Sequence, residues 1–210
     1  FKDIQMVAII DFGMGNHGSI RNMIKAIGGN AVVTSNPDVI NQADKIILPG
    51  VGSFDNGMSN LATRGITPIL IDKVIHRKTP VLGICLGMQL MTKCSEEGVL
   101  TGLGWIAAET VRFRFGEENK NLKIPHMGCN TIRVLKENNS LFKNIGTETK
   151  YYFVHSYHLV CNNPEDVASA TFHGYEFVSS FESGNIMGVQ FHPEKSHKYG
   201  KNLLMNFLRI

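Results

Sequence analysis

The first half of the chain alternates between short apolar runs and amphipathic segments. Nearly continuous apolar runs of four to seven residues predict strands that are buried on both faces, at 6–12, 31–34, 45–48 and 80–84. The segments between them predict helices at 19–27, from Asn36, at 67–76 and at 88–93. Strands and helices that alternate through short loops predict an α/β fold with a mostly parallel, doubly wound, flavodoxin-like sheet.

The second half changes character after Gly98. Short alternating segments separated by polar or glycine turns are typical of antiparallel hairpins, and they lie at 107–115, 131–135, 151–154, 158–161, 167–171, 175–181 and 185–190. This β-rich half is expected either to extend the sheet or to form a second small sheet. A helix at 198–208 is expected to close a single domain, 6–210. Residues 1–5 precede the first methionine and are expected to lie outside that domain.

Composition narrows the classes of function. The chain has 210 residues, 43% of them hydrophobic and 19% charged, and its net charge is only +3, so neither nucleic acid nor a membrane is expected as a partner. The four cysteines form no C-x-x-C pair, and they are expected to be reduced thiols in a cytoplasmic protein. No ligand cluster with metal spacing is visible, so neither a metal nor a cofactor is expected.

The turn after the first strand contains three glycines, Gly13, Gly15 and Gly18, in a G-x-G-x-x-G pattern. A dinucleotide site would also need an acidic residue about 20 positions on, at the end of the second strand. That strand instead runs into Thr34 and Ser35. The glycines are therefore interpreted as a tight strand-to-helix turn.

The chain is organised around Cys85. Gly83 and Gly87 flank it, an apolar strand precedes it and a helical segment follows, which is the pattern of a nucleophile elbow. Free N–H groups at a helix start favour a thiolate. A cysteine that merely packs in a strand is the competing interpretation.

A nucleophilic thiol needs a base and a group that orients the base. His192 and Glu194 offer both, because Pro193 between them restrains His192 to extended backbone. The alternatives for His192 are a surface or capping role and, much less favoured, a zinc ligand. Acyl transfer also needs an oxyanion hole, for which the candidates are the N–H groups of Leu86 and of Val51 or Gly52.

Three segments together resemble the triad-type (class I) glutamine amidotransferases: Pro49-Gly50-Val51-Gly52, Gly83-Ile84-Cys85-Leu86-Gly87-Met88-Gln89 and Val189-Gln190-Phe191-His192-Pro193-Glu194-Lys195-Ser196. Pro125-His126-Met127-Gly128-x-Asn130 and Tyr152-Phe153-Val154-His155-Ser156-Tyr157 narrow the resemblance to the glutaminase subunits of imidazole glycerol phosphate synthases. The resemblance covers essentially residues 6–210.

The resemblance implies that Cys85 attacks the side-chain amide of L-glutamine, with His192 as base and then acid and Glu194 orienting it. Ammonia leaves, and a γ-glutamyl thioester is hydrolysed to glutamate. The positions that match glutamine-binding residues of the family are Gly50, Gln89, Glu97, Ser156 and Tyr157. Val51, Gly52 and Leu86 match the oxyanion hole, whose strand can stay misaligned in this family until a partner binds its own substrate.

The chain shows no second catalytic module, so the resemblance implies a heterodimer with a (β/α)8 cyclase subunit that receives the ammonia for histidine biosynthesis. The residues expected to face the partner are His126, Asn130 and Lys195. Position 129 is cysteine where the family usually has tryptophan. This departure keeps open a paralogous role, in which the ammonia serves a partner that amidates or aminates a surface sugar. A non-catalytic binding subunit and a cysteine peptidase are the alternatives of other classes.

Overall fold

The computed structural model describes residues 5–146 and 148–210. Within them, the strands are β1 (Met6–Ile10), β2 (Asn30–Thr34), β3 (Lys45–Gly50), β4 (Val81–Cys85), β5 (Ala108–Arg112), β6 (His126–Thr131), β7 (Arg133–Val134), β8 (Lys150–His155), β9 (Tyr157–Cys161), β10 (Val167–His173), β11 (Tyr175–Ser183) and β12 (Ile186–Val189). The α-helices are α1 (His17–Ala26), α2 (Pro37–Gln42), α3 (Phe54–Thr63), α4 (Thr67–Ile71), α5 (Leu86–Leu90) and α6 (His197–Leu208).

The described part of the chain contains one sheet of ten strands. Its main path has the order β2-β1-β3-β4-β12-β11-β10-β7, and β9 joins it through β11 and carries β5. The pairs from β2 to β12 are parallel, whereas β12 pairs antiparallel with β11. Strands β6 and β8 form a separate two-stranded antiparallel sheet. The predicted α/β class with a parallel, doubly wound first half is therefore confirmed, and the β-rich half both extends the sheet and adds a second one.

The parallel strands are covered on both faces, as their continuous apolar runs predict. Successive residues of β1 alternate between the two sides: Val7 and Ile9 join a core cluster on the side of α1 and α6, and Ala8 and Ile10 join a cluster on the side of α2, α3 and α4. This alternation is the period-2 geometry of a strand. The sheet thereby becomes the rigid middle layer of the molecule.

Several elements differ from the sequence prediction, among them β6, which was not predicted before residue 131. Helix α3 was not predicted. Its apolar face is short, since Phe54 and Leu61 are its large buried side chains. Its first N–H group, on Phe54, donates 2.8 Å to the carboxylate of Glu97, a partner 43 residues away. The predicted helix at 88–93 starts earlier, at Leu86, directly after Cys85.

The glycine turn after β1 has the geometry that its pattern predicts. Gly13 and Gly15 have φ of 84° and 129°, a region that favours glycine. Residues 1–5 were predicted to lie apart from the domain, and of these only Gln5 is among the described residues. Its side chain accepts a hydrogen bond from the buried Lys45 Nζ. No helix in the described ranges is both long and apolar enough to cross a membrane.

The packing of α5 onto β3 leads to a test. A Cβ atom added at Gly87 would lie 1.7 Å from the carbonyl oxygen of Leu48, which is backbone and cannot move aside. Gly87→Ala should therefore lower the free energy of unfolding by about 3 kcal/mol or more, as measured by denaturant titration. The control is Gly18→Ala in α1, where an added Cβ has no neighbour within 4 Å. Its stability should be unchanged or slightly raised, and equal loss in both variants would contradict this account of the elbow.

Candidate active site

Cys85 occupies a strained turn between β4 and α5. Its φ of 54° and ψ of −111° are unusual for a residue that is not glycine, and such strain costs of order 1–3 kcal/mol. Gly83 and Gly87 allow the turn, because a Cβ at Gly83 would lie 2.7 Å from the backbone nitrogen of Met88. Cys85 is buried, with 7% of the residue exposed. The nucleophile elbow that the two glycines predict is thus present, and it holds a thiol at the carboxyl edge of the sheet.

The pairing of β12 with β4 brings the distant histidine to this thiol. The two strands are parallel, with Val189 opposite Ile84, so the residues after β12 emerge beside Cys85, the last residue of β4. The loop that carries His192 is pinned to β8, because the His192 N–H donates 2.8 Å to the Tyr152 carbonyl. Ser196 Oγ donates to the His192 carbonyl at 2.6 Å and closes the loop.

His192 and Glu194 form a buried pair. His192 Nδ1 and Glu194 Oε1 are 2.9 Å apart, and the two side chains are 2% and 1% exposed. Since the carboxylate accepts, the proton on this side of the ring is on Nδ1. Nε2 has no hydrogen-bond partner within residues 5–146 and 148–210, and His192 lines the same cavity as Cys85.

The electrostatics of this pair favour a charged ring. Burial alone would lower the pKa of His192, but its interactions with Cys85 and Glu194 outweigh burial and raise the pKa to about 10. His192 is therefore an imidazolium at neutral pH, facing a cavity that contains the thiol. A thiolate–imidazolium pair is the arrangement in which a cysteine attacks without first losing a proton.

A cavity of about 330 Å³ opens onto Cys85 and His192. Most of the predicted site residues line it, namely Val51, Gly52, Cys85, Leu86, Gln89, Glu97, Ser156, Tyr157 and His192. Pro125, Val154 and His155 also line it and were not predicted to do so. A larger hollow of about 480 Å³, lined by residues of β7 and β10 and by Ile145, contains none of the predicted site residues.

The loop after β3 supplies the second side of the predicted oxyanion hole. Gly50 pairs with Cys85 and is packed beneath the elbow, where an added Cβ would lie 2.9 Å from Leu86 Cβ, so Gly50 does not line the cavity. Val51 follows with 44% exposure, and Gly52 has φ of 120°. Glycine on each side of Val51 gives this peptide backbone freedom that other residues lack. The oxyanion roles of Val51, Gly52 and Leu86 remain predictions.

Two neutral histidines form a hydrogen-bonded chain behind the cavity. Asn130 Nδ2 contacts His126 Nε2 at 3.1 Å, His126 Nδ1 contacts His155 Nε2 at 3.0 Å, and His155 Nδ1 contacts the Tyr157 carbonyl at 2.7 Å. An amide N–H only donates and a carbonyl only accepts, so donation runs from Asn130 through both rings to Tyr157. Burial, with the nearby His173, lowers the pKa of His126 to about 4, and burial lowers that of His155 well below its usual range.

This chain corrects one prediction about the partner surface. His126 was expected to face a partner, but its side chain is 4% exposed and hydrogen-bonded on both ring nitrogens. Asn130 is partly buried, and its Nδ2 also donates 2.9 Å to the Phe172 carbonyl. Lys195 is exposed, and its ammonium lies 5.3 Å from the ring centre of Tyr152. Of the three predicted residues, Lys195 alone presents an exposed side chain.

Sequence reasoning missed Gln190, which is fully buried. Its Nε2 lies 3.7 Å from Cys85 Sγ, and its Oε1 lies 3.1 Å from Gln89 Nε2. The signal was available, because Gln190 follows the strand that pairs with β4 and lies two residues before His192. Gln190 is a polar residue in an otherwise apolar run, and it was interpreted as the end of the strand.

Comparisons with known proteins agree with this geometry. The family model described as "Glutamine amidotransferase class-I" matches residues 8–210. The structure of PurLQS from Thermotoga maritima superposes with a TM-score of 0.71 at 17% identity, covering 98% of each chain, which is a likeness of fold. The chain belongs to the class-I glutamine amidotransferase family.

Its relatives within the family carry a more specific name. The "Imidazole glycerol phosphate synthase subunit HisH 2" of Methanococcus maripaludis is 51% identical over 97% of this chain and 99% of its own length. The protein of the same name from Pseudomonas aeruginosa is 41% identical over 98% of this chain and 100% of its own length.

The first prediction from the site concerns Glu194. Because its carboxylate raises the pKa of His192, Glu194→Gln should lower that pKa by at least about one unit from its value near 10. Titration of the ring nitrogens by NMR measures the change directly. Glu176→Gln, which removes a carboxylate paired with Arg133 on the surface, should leave the titration of His192 unchanged. An unshifted midpoint in Glu194→Gln would contradict the assigned role of the carboxylate.

The second prediction concerns acid stability. The pKa of His126 falls from an ordinary value of 6.5 to about 4 on folding, so protonation favours the unfolded chain as the pH falls from about 6.5 towards 4. His126→Gln removes this dependence of the free energy of unfolding on pH. The loss that it removes is up to about 3 kcal/mol, at roughly 1.4 kcal/mol per pKa unit. Denaturant titrations at pH 7 and pH 4.5 measure it. The exposed His76, changed to Gln, is the control and should keep the acid sensitivity of the wild type.

Proposed function

We propose that this chain is the glutaminase subunit of imidazole glycerol phosphate synthase. In this role it hydrolyses L-glutamine to glutamate and ammonia with Cys85, His192 and Glu194. The single observation that carries the proposal is the shared cavity onto which Cys85 and His192 open, with Glu194 bound to the far side of the ring. Two relatives that match this chain over nearly their whole length are named as subunits of that synthase, which supports the choice of synthase. The match over 8–210 supports one amidotransferase domain spanning 6–210.

The first half of the proposed reaction transfers the γ-glutamyl group of glutamine to Cys85. The Cys85 thiolate attacks the side-chain carbonyl carbon of glutamine, and the carbonyl oxygen gains negative charge. The N–H groups of Leu86 and of Val51 or Gly52 are the donors proposed for that oxygen. When the intermediate collapses, the C–N bond breaks and His192 Nε2 gives its proton to the leaving nitrogen, so ammonia departs and a γ-glutamyl thioester remains.

The second half reverses the proton flow. His192, now neutral, takes a proton from water through Nε2, and the hydroxide oxygen attacks the thioester carbon. Collapse breaks the C–S bond, releases glutamate and restores the thiolate–imidazolium pair. Glu194 holds Nδ1–H throughout, which keeps Nε2 as the nitrogen that exchanges protons with the site.

Gln89, Glu97, Ser156 and Tyr157 are proposed to hold the amino-acid end of glutamine. All four line the cavity. Glu97 carries a negative charge suited to an α-ammonium group, although one of its oxygens already accepts from the Phe54 N–H. Tyr157 and Ser156 lie where β8 passes into β9, opposite the elbow. Gly50 is proposed to act through the shape of the loop that it starts.

The ammonia is proposed to pass to a (β/α)8 cyclase subunit, bound as a heterodimer near the cavity mouth. Three exposed residues support this surface: Val51 lines the cavity at 44% exposure, Met127 at 63% exposure pairs with the cavity-lining Val154, and Lys195 lies three residues after His192. A cytoplasmic location belongs to the same proposal, and the four free thiols are consistent with it.

The second candidate is the same glutaminase serving a partner that modifies a surface sugar. Position 129 favours it: Cys129 is exposed on β6 opposite Tyr152, where the family usually presents tryptophan. The two candidates differ in the partner alone. Stimulation of glutamine hydrolysis by the histidine-pathway cyclase with its nucleotide supports the first, and stimulation only by a sugar-modifying partner supports the second.

The proposed chemistry is tested by Cys85→Ala. Glutamate release, measured with and without the cyclase subunit and its ligand, should fall by about 10⁴-fold or more, because Cys85 is the only cysteine among the residues that line the cavity. Cys94→Ala, which removes an exposed free thiol, should retain wild-type turnover. A wild-type chain that binds glutamine without turnover under every condition would indicate a non-catalytic binding subunit. Labelling by peptide-based inhibitors in preference to a glutamine-analogue electrophile would indicate a peptidase.

A further inference from the structure

Gln190 contacts the nucleophile but has no part in the triad. It follows β12, its backbone N–H donates 2.9 Å to the Ser179 carbonyl, and its side chain is fully buried. Its Nε2 is 3.7 Å from Cys85 Sγ, a normal N–H to sulfur distance. A buried carboxamide has two donors and an acceptor to satisfy, so its orientation is decided by its neighbours.

The neighbours of Gln190 fix which end of its amide faces the sulfur. The backbone carbonyl of Tyr157 can only accept, and it lies 3.2 Å from Gln89 Nε2, so this atom of Gln89 is the nitrogen. The second hydrogen of that nitrogen points to Gln190 Oε1 at 3.1 Å. Gln190 Oε1 is therefore the acceptor, and its nitrogen faces Cys85. A reversed amide would place two N–H groups against each other.

The Tyr157 carbonyl is itself held in place by the histidine chain. His155 Nδ1–H donates to it at 2.7 Å, and the chain continues through His126 to Asn130. All of the donors in this series point the same way, towards the carbonyl. A fixed carbonyl thus holds both glutamine side chains in one orientation, without a charged group in the series.

We propose that Gln190 is a further catalytic residue of the glutaminase, which donates its Nε2–H to Cys85 Sγ and stabilises the thiolate, and that Gln89 is the residue that positions it. The inference rests on the proposed function for its role in turnover, but the contact itself does not. The titratable groups that line the cavity beside Cys85 are Glu97, His155, Tyr157 and His192, and Glu194 is hydrogen-bonded to the far side of the His192 ring. None of them is changed in the variants below, so an altered thiolate population reports on the amide.

Two substitutions separate donation from shape. Gln190→Glu keeps the size and the acceptor for Gln89 but replaces the donor by a carboxylate oxygen that repels a thiolate. Gln190→Met keeps approximate size and removes the donor without adding charge. Asn206→Leu is the matched control, because Asn206 is also a buried amide whose Nδ2 donates to two carbonyls, those of Leu141 and Lys143, but it lies in α6.

The readout is the pH dependence of Cys85 alkylation by iodoacetamide, followed by mass spectrometry of the peptide that contains Cys85. The midpoint should rise by about one pH unit in Gln190→Met and by more in Gln190→Glu, since a hydrogen bond to a charged group is worth 10- to 100-fold in an equilibrium. Glutaminase kcat/KM should fall about 10- to 100-fold. The control should lose stability but keep the wild-type midpoint.

Wild-type midpoints in both Gln190 variants, with folding verified by their unfolding transitions, would overturn the inference. If one variant does not fold, the other decides it. A shifted midpoint in a chain whose wild type hydrolyses no glutamine would refute the proposed function and leave the contact to the thiolate standing.

Discussion

The parallel pairing of β12 with β4 is the constraint on which the site depends. Residues far apart in sequence meet because both strands end at the same edge of the sheet, with Val189 opposite Ile84. A one-residue slip would exchange the two faces of β12 and turn its following loop away from Cys85. The position of His192 is therefore fixed by the ladder of the whole sheet, and the short loop contributes only the last adjustment.

Strain at Cys85 is tolerated because packing leaves the turn no alternative. β3 and β12 flank β4 on both sides, and α5 is pressed so closely onto the end of β3 that only glycine fits at position 87. In such an over-determined setting, a residue can keep a backbone conformation that it would not adopt alone. The same rigidity keeps the sulfur, the ring and the loop at Val51 around one small cavity, and preorganisation of this kind is what acyl transfer requires.

The fold of the first half could be predicted from sequence because its signals are local. Continuous apolar runs bounded by glycine or proline identified β1, β3 and β4, and the glycine spacing around Cys85 identified the elbow. Helix α3 was not predicted, since its start is stabilised by Glu97, which is distant in sequence. Strand β6 escaped for a related reason: it pairs with β8 across a long connection and carries the polar residues His126 and Asn130.

The candidate site likewise contains residues that could be predicted from the sequence and residues that could not. Cys85 and His192 could be found from motifs, and a known family supplied the residues along the cavity. The roles of the buried polar groups could not be found in this way, because the role of a buried glutamine or histidine depends on which atom of a neighbouring residue faces it. His126 was read as a surface residue and is buried, and Gln190 was passed over although it contacts the sulfur. Hydrogen-bond direction is a property of the assembled fold, which no local pattern encodes.

The glycine turn after β1 has a consequence for the opposite side of the cavity. It places Met14 so that its terminal methyl fills the space in which a side chain at Gly52 would begin, 2.4 Å from an added Cβ. Any change of the backbone at Gly52 therefore takes place directly beside that methyl. The Met14 methyl resonance is thus a built-in spectroscopic reporter of this loop, and it needs no engineered label.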